Sequence, residues 1–295
     1  MSNIKKPCNV CKSSYFAVVD AIVRDLPTMA IFKCLKCGLV FLENFDHIDN
    51  KFYEKSKMRS KDIQSDIQSW ECYLSMCDKD DSRRLVYLKN ILPNKKLLDF
   101  GCGAGGFLLK AMSLTALPIA GVELDKSLRE KLLSQKIRDL SIVSKLEDLG
   151  NDKYDIITMF HVLEHLADPQ KILTQLKQKL NKNGQLVIEV PNSGDALLSL
   201  YNSKSFSNFT YWKCHLYIYN ENNLRKMLED LGFKVNYINQ VQRYPLSNHL
   251  FWLTNNKPGG HEAWDFLDTP ALTKAYETSL AQANRCDTLF ASVSI

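Results

Sequence analysis

The sequence predicts an α/β chain: a parallel sheet covered on both faces by helices, preceded by a small cysteine-bearing β unit. Three observations carry that expectation. From Lys96 onward, short apolar runs alternate with amphipathic helical stretches, the pattern of strands buried on both faces. The first of those runs ends in a turn with Gly101, Gly103 and Gly105 at alternate positions. Cys8-x-x-Cys11 and Cys34-x-x-Cys37 form two spaced pairs near the beginning of the chain.

The composition is that of an ordinary globular protein. Its 295 residues, 45% hydrophobic and 24% charged, can bury a core and suit one large domain with a smaller one. The formal charge of +5 is mild; it is compatible with anionic small molecules and does not demand nucleic acid. Met1 to Pro7 is polar and lacks the apolar stretch of a secretory leader. No run of about 18 apolar residues is present, so no membrane span is expected. Of the nine cysteines, four fall into the two pairs. Cys72, Cys77, Cys102, Cys214 and Cys286 are scattered, which fits a reducing cytoplasm and one metal site.

Residues 1–45 read as a zinc-binding unit. Each CxxC turn aims two thiolates at one point, and two such turns make a closed tetrahedral site at Cys8, Cys11, Cys34 and Cys37. Gly38 suits the tight knuckle turn, and Tyr15–Val23 and Thr28–Lys33 are strand-like. A closed zinc site has no open position, so its expected role is structural. A redox CxxC would need a thioredoxin-like βαβ setting, which is missing.

Residues 46–92 read as a helical linker or lid. Ile63, Ile67, Trp70 and Leu74 recur at helical spacing from Asp62, and a second helix is expected over about Asp80–Leu92, before Pro93. Tyr53 and Arg59, in a run with Lys51, Lys55, Lys57 and Lys61, could reach a substrate from such a lid.

Residues 93–295 form the catalytic domain in this reading. Leu97–Phe100 is its first strand and Phe107–Leu114 the helix after it. Pro118–Glu123 is the second strand, with a helix through Leu128–Leu133. Ser141–Ser144 and Tyr154–Phe160 are the third and fourth. Asp168-Pro169 opens a helix as N-cap and first residue; it carries Ile172, Leu173, Leu176 and Leu180 and stops at Asn183-Gly184. Gln185–Val190 is a fifth strand. Asn220 caps a helix through Leu231, Phe233–Gln240 is a strand, and Asp287–Ile295 is the last. Residues 244–285 read as an insertion with a helix near Ala271–Ala283. Ligands of such sheets bind outside the carboxyl ends of the strands.

Asp99-x-Gly101-x-Gly103-x-Gly105, then Gly121-Val122-Glu123, then Tyr154-Asp155-Ile156-Ile157 leading into His161-Val162-Leu163-Glu164-His165, resembles class I S-adenosylmethionine-dependent methyltransferases. The resemblance covers roughly residues 90–243 and the last strand. It implies a Rossmann-like seven-stranded sheet whose last strand is antiparallel. The CxxC…CxxC-Gly-Leu-Val-Phe unit is similar to that of a subset of bacterial methyltransferases that modify sugars in surface-polysaccharide or natural-product pathways. It implies a structural zinc ion, a sugar or nucleotide-sugar acceptor, and S-adenosylmethionine as cofactor. The donor would lie over Gly101, Cys102, Gly103 and Gly105, with Asp99 near its ammonium and Glu123 at its ribose hydroxyls. Glu147, Asp148 and Leu149 would lie near the adenine, Leu124 would also line the donor, and Phe160 and His161 would flank the methionine end. The family often has an acid where Lys145 stands, two residues before Glu147.

A sugar hydroxyl is a weak nucleophile, so a base is expected. His165 and His161, after the fourth strand, are the first candidates and His215 the third; Glu164 and His165 could equally only brace the loop. Tyr201, Phe206, Phe209, Tyr211, Trp212, Tyr217 and Tyr219 could stack on a sugar or simply cap the sheet. Arg243, Tyr244, Asn248, His249 and His261 could bind a diphosphate or a partner. A homo-oligomer is left open. Rival readings are fewer. An NAD enzyme prefers GxGxxG, met here only by counting Gly106. A zinc peptidase reading of His161-x-x-Glu164-His165 needs one uninterrupted helix, which Asp168-Pro169 breaks. RNA methylation would want a long basic-aromatic stripe, and a non-catalytic scaffold would not need Glu123 or an intact glycine turn.

Overall fold

The computed structural model describes residues 6–48, 52–54 and 70–295. Lys51, Lys55, Lys57, Arg59, Lys61, Ile63 and Ile67 lie outside these residues, as does any helix before Trp70. The chain divides into two compact units. The first comprises residues up to Phe45, Leu163–Ala167 and Glu189–Ala291; the second comprises Asp46–Val162, Asp168–Ile188 and Ser292–Ile295. Among the described residues no helix is long and apolar enough to cross a membrane.

The fold is the expected one. A first sheet holds β1 (Phe16–Val18), β2 (Ile31–Cys34), β3 (Val40–Leu42) and β9 (Tyr217–Ile218), in that order. The second holds β4 (Lys96–Phe100), β5 (Ala116–Val122), β6 (Leu140–Val143), β7 (Tyr154–Phe160), β8 (Leu180–Pro191), β10 (Lys234–Val241) and β11 (Thr288–Ser294). Its order is β10-β11-β8-β7-β4-β5-β6, and β11 is the antiparallel member.

In the second unit, β4 pairs in parallel with β5 on one side and β7 on the other, with Asp99 opposite both Gly121 and Thr158. The chain direction of travel across the sheet reverses at β4, so its carboxyl end is a switch point where a crevice opens. Leu97, Leu98, Ile119, Ile156 and Ile157 are fully buried in this sheet. Their burial on both faces explains why the strands read as continuous apolar runs.

In the first unit the three N-terminal strands pair antiparallel, and β3 continues onto β9 through Val40 opposite Ile218 and Phe41 opposite Tyr217. Asn220 and Asn223 donate side-chain amides to the Cys37 carbonyl. Gly38 adopts φ +76°, as the knuckle requires, and a Cβ there would meet Asn220 Nδ2 at 2.7 Å.

Four boundaries differ from the sequence expectation. Trp70–Leu88 is one continuous helix, and Asp80 starts nothing. Asp80 and Asp81 sit mid-helix because Arg83 and Arg84 pair with them three residues on, at 3.0 and 2.9 Å. The helix after β4 is Gly106–Ala111, ending a turn earlier than Leu114, whose N–H closes a turn onto Ala111 O. The helix from Pro169 ends at Lys179, and β8 begins at once with buried Leu180 instead of waiting for Gln185. The insertion holds helices Leu246–Asn255 and Gly260–Ala263 besides the expected Pro270–Gln282.

Candidate functional site

The glycine turn after β4 is left-handed at all three alternate positions: Gly101 at φ +81°, Gly103 at +57° and Gly105 at +83°. The absent side chains serve different ends. A Cβ on Gly101 would lie 2.3 Å from Val162 Cγ2, and one on Gly105 would lie 2.8 Å from Leu132 Cδ2. A Cβ on Gly103 would meet only the Tyr73 ring, at 3.9 Å. Packing thus needs two of the glycines, and among the described residues a Cβ on Gly103 would touch the Tyr73 ring alone.

The turn's amides are committed internally. Gly101 and Cys102 N–H both donate to Val122 O, and Gly105 N–H donates to Cys102 O. Gly103 N–H donates to Glu123 Oε2 at 2.7 Å, while the other carboxylate oxygen accepts Asp125 N–H at 2.7 Å. Glu123 is 9% exposed and joins the end of β5 to the open point of the turn. Asp125 caps the Lys126–Ser134 helix by accepting Leu128 N–H, as its spacing predicts. Cys102 is buried, its Sγ 2.7 Å from where a Gly121 Cβ would stand.

Asp99 is buried and accepts the Thr158 hydroxyl at 2.7 Å. Burial pushes its carboxyl up to about 7; the Asp81 and Glu123 charges add to the rise, and Thr158 and Arg84 oppose it. Burial also raises Asp81. Three carboxylates therefore gather around the turn against one buried guanidinium, an arrangement that suits a ligand carrying positive charge. Together with the Gly103–Glu123 hydrogen bond at the strand end, it fits S-adenosylmethionine.

The Trp70–Leu88 helix contributes groups that sequence reasoning did not single out. Trp70 Nε1 donates to Ala104 O at 3.0 Å, and Asp81 Oδ2 stands 2.3 Å from where a Gly106 Cβ would be. The Arg84 guanidinium lies 4.6 Å from the centre of the Phe160 ring. The available signal was two acid–arginine pairs at three-residue spacing inside a helical stretch; the fold alone shows which face meets the turn.

Other expected donor residues are placed as follows. Leu149 is buried, Leu124 half-buried and Phe160 packed edge-on to Phe107 at 5.0 Å. Asp148 is exposed, and its carboxylate closes the Leu146–Leu149 turn by accepting Ser144 Oγ and Lys145 N–H. His161 directly follows β7 with φ +53°. Phe52 and Tyr53 stack edge-on at 5.1 Å.

In the first unit, the four expected cysteines converge. Cys8 and Cys37 sulfurs are 3.6 Å apart, Cys11 and Cys34 sulfurs 3.5 Å, and all four lie within 4.8 Å of one another. A tetrahedral zinc ion with bonds of about 2.3 Å spaces its sulfurs by about 3.8 Å, so the set fits that ion. The same unit gathers Glu164, His165 and His215. His165 Nδ1 lies 2.6 Å from Cys214 O, and His215 Nδ1 3.1 Å from Thr210 O. The aromatic run largely packs: Phe206 and Phe209 meet Trp252 at 5.3 and 5.1 Å, and Tyr211, Tyr217 and Tyr219 are buried. In the insertion, Arg243 and Tyr244 donate backbone N–H groups to Asp287, His249 bonds Tyr276 Oη at 2.7 Å, and His261 bonds Asn248.

Comparison with known proteins gives three findings. A family model described as "Methyltransferase domain" matches residues 77–238, more than half of the chain. A ubiquinone biosynthesis O-methyltransferase of Histophilus somni is 32% identical over 123 residues, 37% of this chain and 51% of that protein. Its counterpart in Pseudomonas savastanoi pv. phaseolicola is 28% identical over 109 residues, 34% of this chain and 46% of that protein. The chain thus spans about half the length of the curated relatives it matches. A chain from a complex between the Haloferax volcanii Trm112 methyltransferase activator and a methyltransferase superposes with a TM-score of 0.50 at 13% identity, covering 76% of this chain and 95% of that one.

Proposed function

Because the chain belongs to the S-adenosylmethionine-dependent methyltransferases, we propose that it methylates a hydroxyl of a small acceptor, a sugar or nucleotide-linked sugar. The observation that carries the donor half is the bond from Gly103 N–H to Glu123, which sets a strand-end acid against the open point of the turn. The donor, when bound, supplies an electrophilic methyl group on a sulfonium; this chain's residues bind, orient and deprotonate.

Gly103 offers backbone with no side chain in the way. Glu123, at the end of β5, accepts the ribose hydroxyls. Leu124 and Leu149 flank the adenine, and Asp148 holds the loop beside it. Asp99 faces the ammonium, which lowers its pKa when it arrives. His161 takes the proton of the acceptor hydroxyl. Its left-handed backbone is a conformation that costs about 1 kcal/mol or more in a non-glycine residue, and such outliers concentrate at working positions. The cysteine unit holds zinc for structural reasons, since four protein ligands leave no open position.

Oxygen as the target is supported by the relatives that are O-methyltransferases, and a sugar by the resemblance of the cysteine unit. An acceptor of ubiquinone biosynthesis is the second class, after the names of those same relatives. The test is calorimetry with S-adenosylmethionine and with NAD, followed by an acceptor screen that reads S-adenosylhomocysteine. Binding of NAD but not of S-adenosylmethionine overturns the donor half. Donor binding with no product from nucleotide sugars, phosphorylated sugars or intermediates of ubiquinone biosynthesis overturns the acceptor half.

A further inference from the structure

We propose that Glu164, His165 and His215 form a second metal site, taking a divalent first-row transition cation on two imidazole nitrogens and one carboxylate oxygen. One ligand atom from each residue lies within 4.8 Å of the others, all inside the first unit. The site is distinct from the four-cysteine cluster, and its argument does not depend on methyl transfer.

The tautomers favour a metal. A carbonyl oxygen can only accept a hydrogen bond, so His165 Nδ1 donates to Cys214 O and His215 Nδ1 to Thr210 O. Each Nε2 then keeps its lone pair. A ligating histidine usually has this arrangement: one nitrogen bound to a backbone carbonyl, the other presented to the ion.

The scaffold is also built. Leu216 N–H donates to Glu164 O at 2.9 Å, so the segment that fixes the His165 ring also fixes the Glu164 backbone. The two imidazole centres are 5.2 Å apart, and the Trp212 ring stands edge-on to them at 6.1 and 5.4 Å. Trp212 is itself held by Asp25, which accepts its Nε1–H at 2.8 Å. Little chain motion is needed. His165 Nε2 and Glu164 Oε1 are 3.9 Å apart, whereas a tetrahedral ion with bonds of about 2.0–2.1 Å holds its ligands about 3.3–3.4 Å apart.

Charge points the same way. Glu164 is completely buried, and a cation offsets a carboxylate withdrawn from water. Tyr219 Oη, in a residue 1% exposed, has no hydrogen-bond partner among the described residues and lies within reach of the Glu164 charge. A polar guest entering with the ion would give it one.

The donor set names the class of ion. Two imidazoles and one carboxylate suit zinc, cobalt, nickel, iron or manganese, whereas magnesium and calcium prefer oxygen ligands throughout. Three protein ligands leave a position open, so the ion could take an oxygen of a small molecule or water.

The test counts metal on the full chain. The protein is stripped with a chelator, given one equivalent of zinc for the cysteines, and titrated with cobalt(II) followed by absorption and elemental analysis. The expected result is a second equivalent with weak d–d bands and no sulfur-to-cobalt charge transfer. His215→Ala and the near-isosteric Glu164→Gln should each weaken that second equivalent at least tenfold while keeping the first. Circular dichroism identifies any variant that fails to fold, and the other variant then decides. A single equivalent in the unmodified protein, or a second equivalent that both folded variants retain, overturns the proposal.

Discussion

At the scale of single residues, the three glycines of the β4 turn separate into two kinds. Gly101→Ala brings a methyl to 2.3 Å from Val162 in a left-handed conformation, so it should lower Tm. The conformational part alone costs about 1–2 kcal/mol. Gly103→Ala meets only that conformational cost, and its main effect should be on donor affinity. Gly103→Arg should abolish binding in calorimetry while the folded signal in circular dichroism remains. Equal loss of fold in Gly101→Ala and Gly103→Arg would contradict the distinction. Asp99 gives a pH signature. With its folded pKa near 7, it is half-protonated at neutral pH, and a cationic donor binds the ionised form. Donor affinity should fall as pH drops below about 7, approaching tenfold per unit, and Asp99→Asn should flatten that slope. Stability runs the other way. An unfolded Asp titrates near 3.9, so the stabilisation from the proton on folded Asp99 is complete below about pH 4 and is lost as pH rises through about 7. Glu123 was legible in the sequence because a strand-end acid follows local spacing. Asp81, Arg84 and Tyr73 were not, because only tertiary packing brings them to the turn.

At the scale of elements, the Trp70–Leu88 helix clasps the turn through three of its own side chains. Trp70 holds the Ala104 carbonyl, Tyr73 faces Gly103, and Asp81 abuts Gly106. Trp70→Phe keeps an aromatic ring and removes one hydrogen bond, worth about 0.5–1.5 kcal/mol. It should weaken donor binding severalfold and raise amide exchange over Gly101–Gly106. Unchanged exchange there would show that the helix does not hold the turn. The sequence indicated helical periodicity in this region and suggested two helices. Arg83 and Arg84, three residues after Asp80 and Asp81, hold those acids inside one continuous helix, so no second helix begins there. The β8 boundary slipped for a related reason: Leu180 fits the apolar stripe of the preceding helix, yet it is buried as the first residue of the strand.

At the scale of the whole molecule, a parallel sheet covered by helices was legible because apolar strands and amphipathic helices alternate along the sequence. The partnership of β3 with β9 was not, since nothing local links Phe41 to Tyr217. Residues up to Phe45 fold in the same unit as Glu189–Ala291. If zinc holds the cysteines, Cys8→Ser should remove about one equivalent of metal and raise amide exchange in Phe16–Leu42 and Tyr217–Ile218. The Lys96–Phe160 amides should stay protected. A zinc content below about half an equivalent in the unmodified protein would count against the ion. The β3–β9 pairing also sets a clock on synthesis. Leu42 leaves the ribosome roughly 175 residues before Tyr217. At about 5–20 residues per second, β3 waits about 10–35 s with one edge unpaired. An apolar strand left open for that long is a template for neighbouring chains. Early metal capture by the two knuckles, by limiting how far that edge can stray, would make zinc supply during translation a determinant of how much of this protein is recovered in usable form.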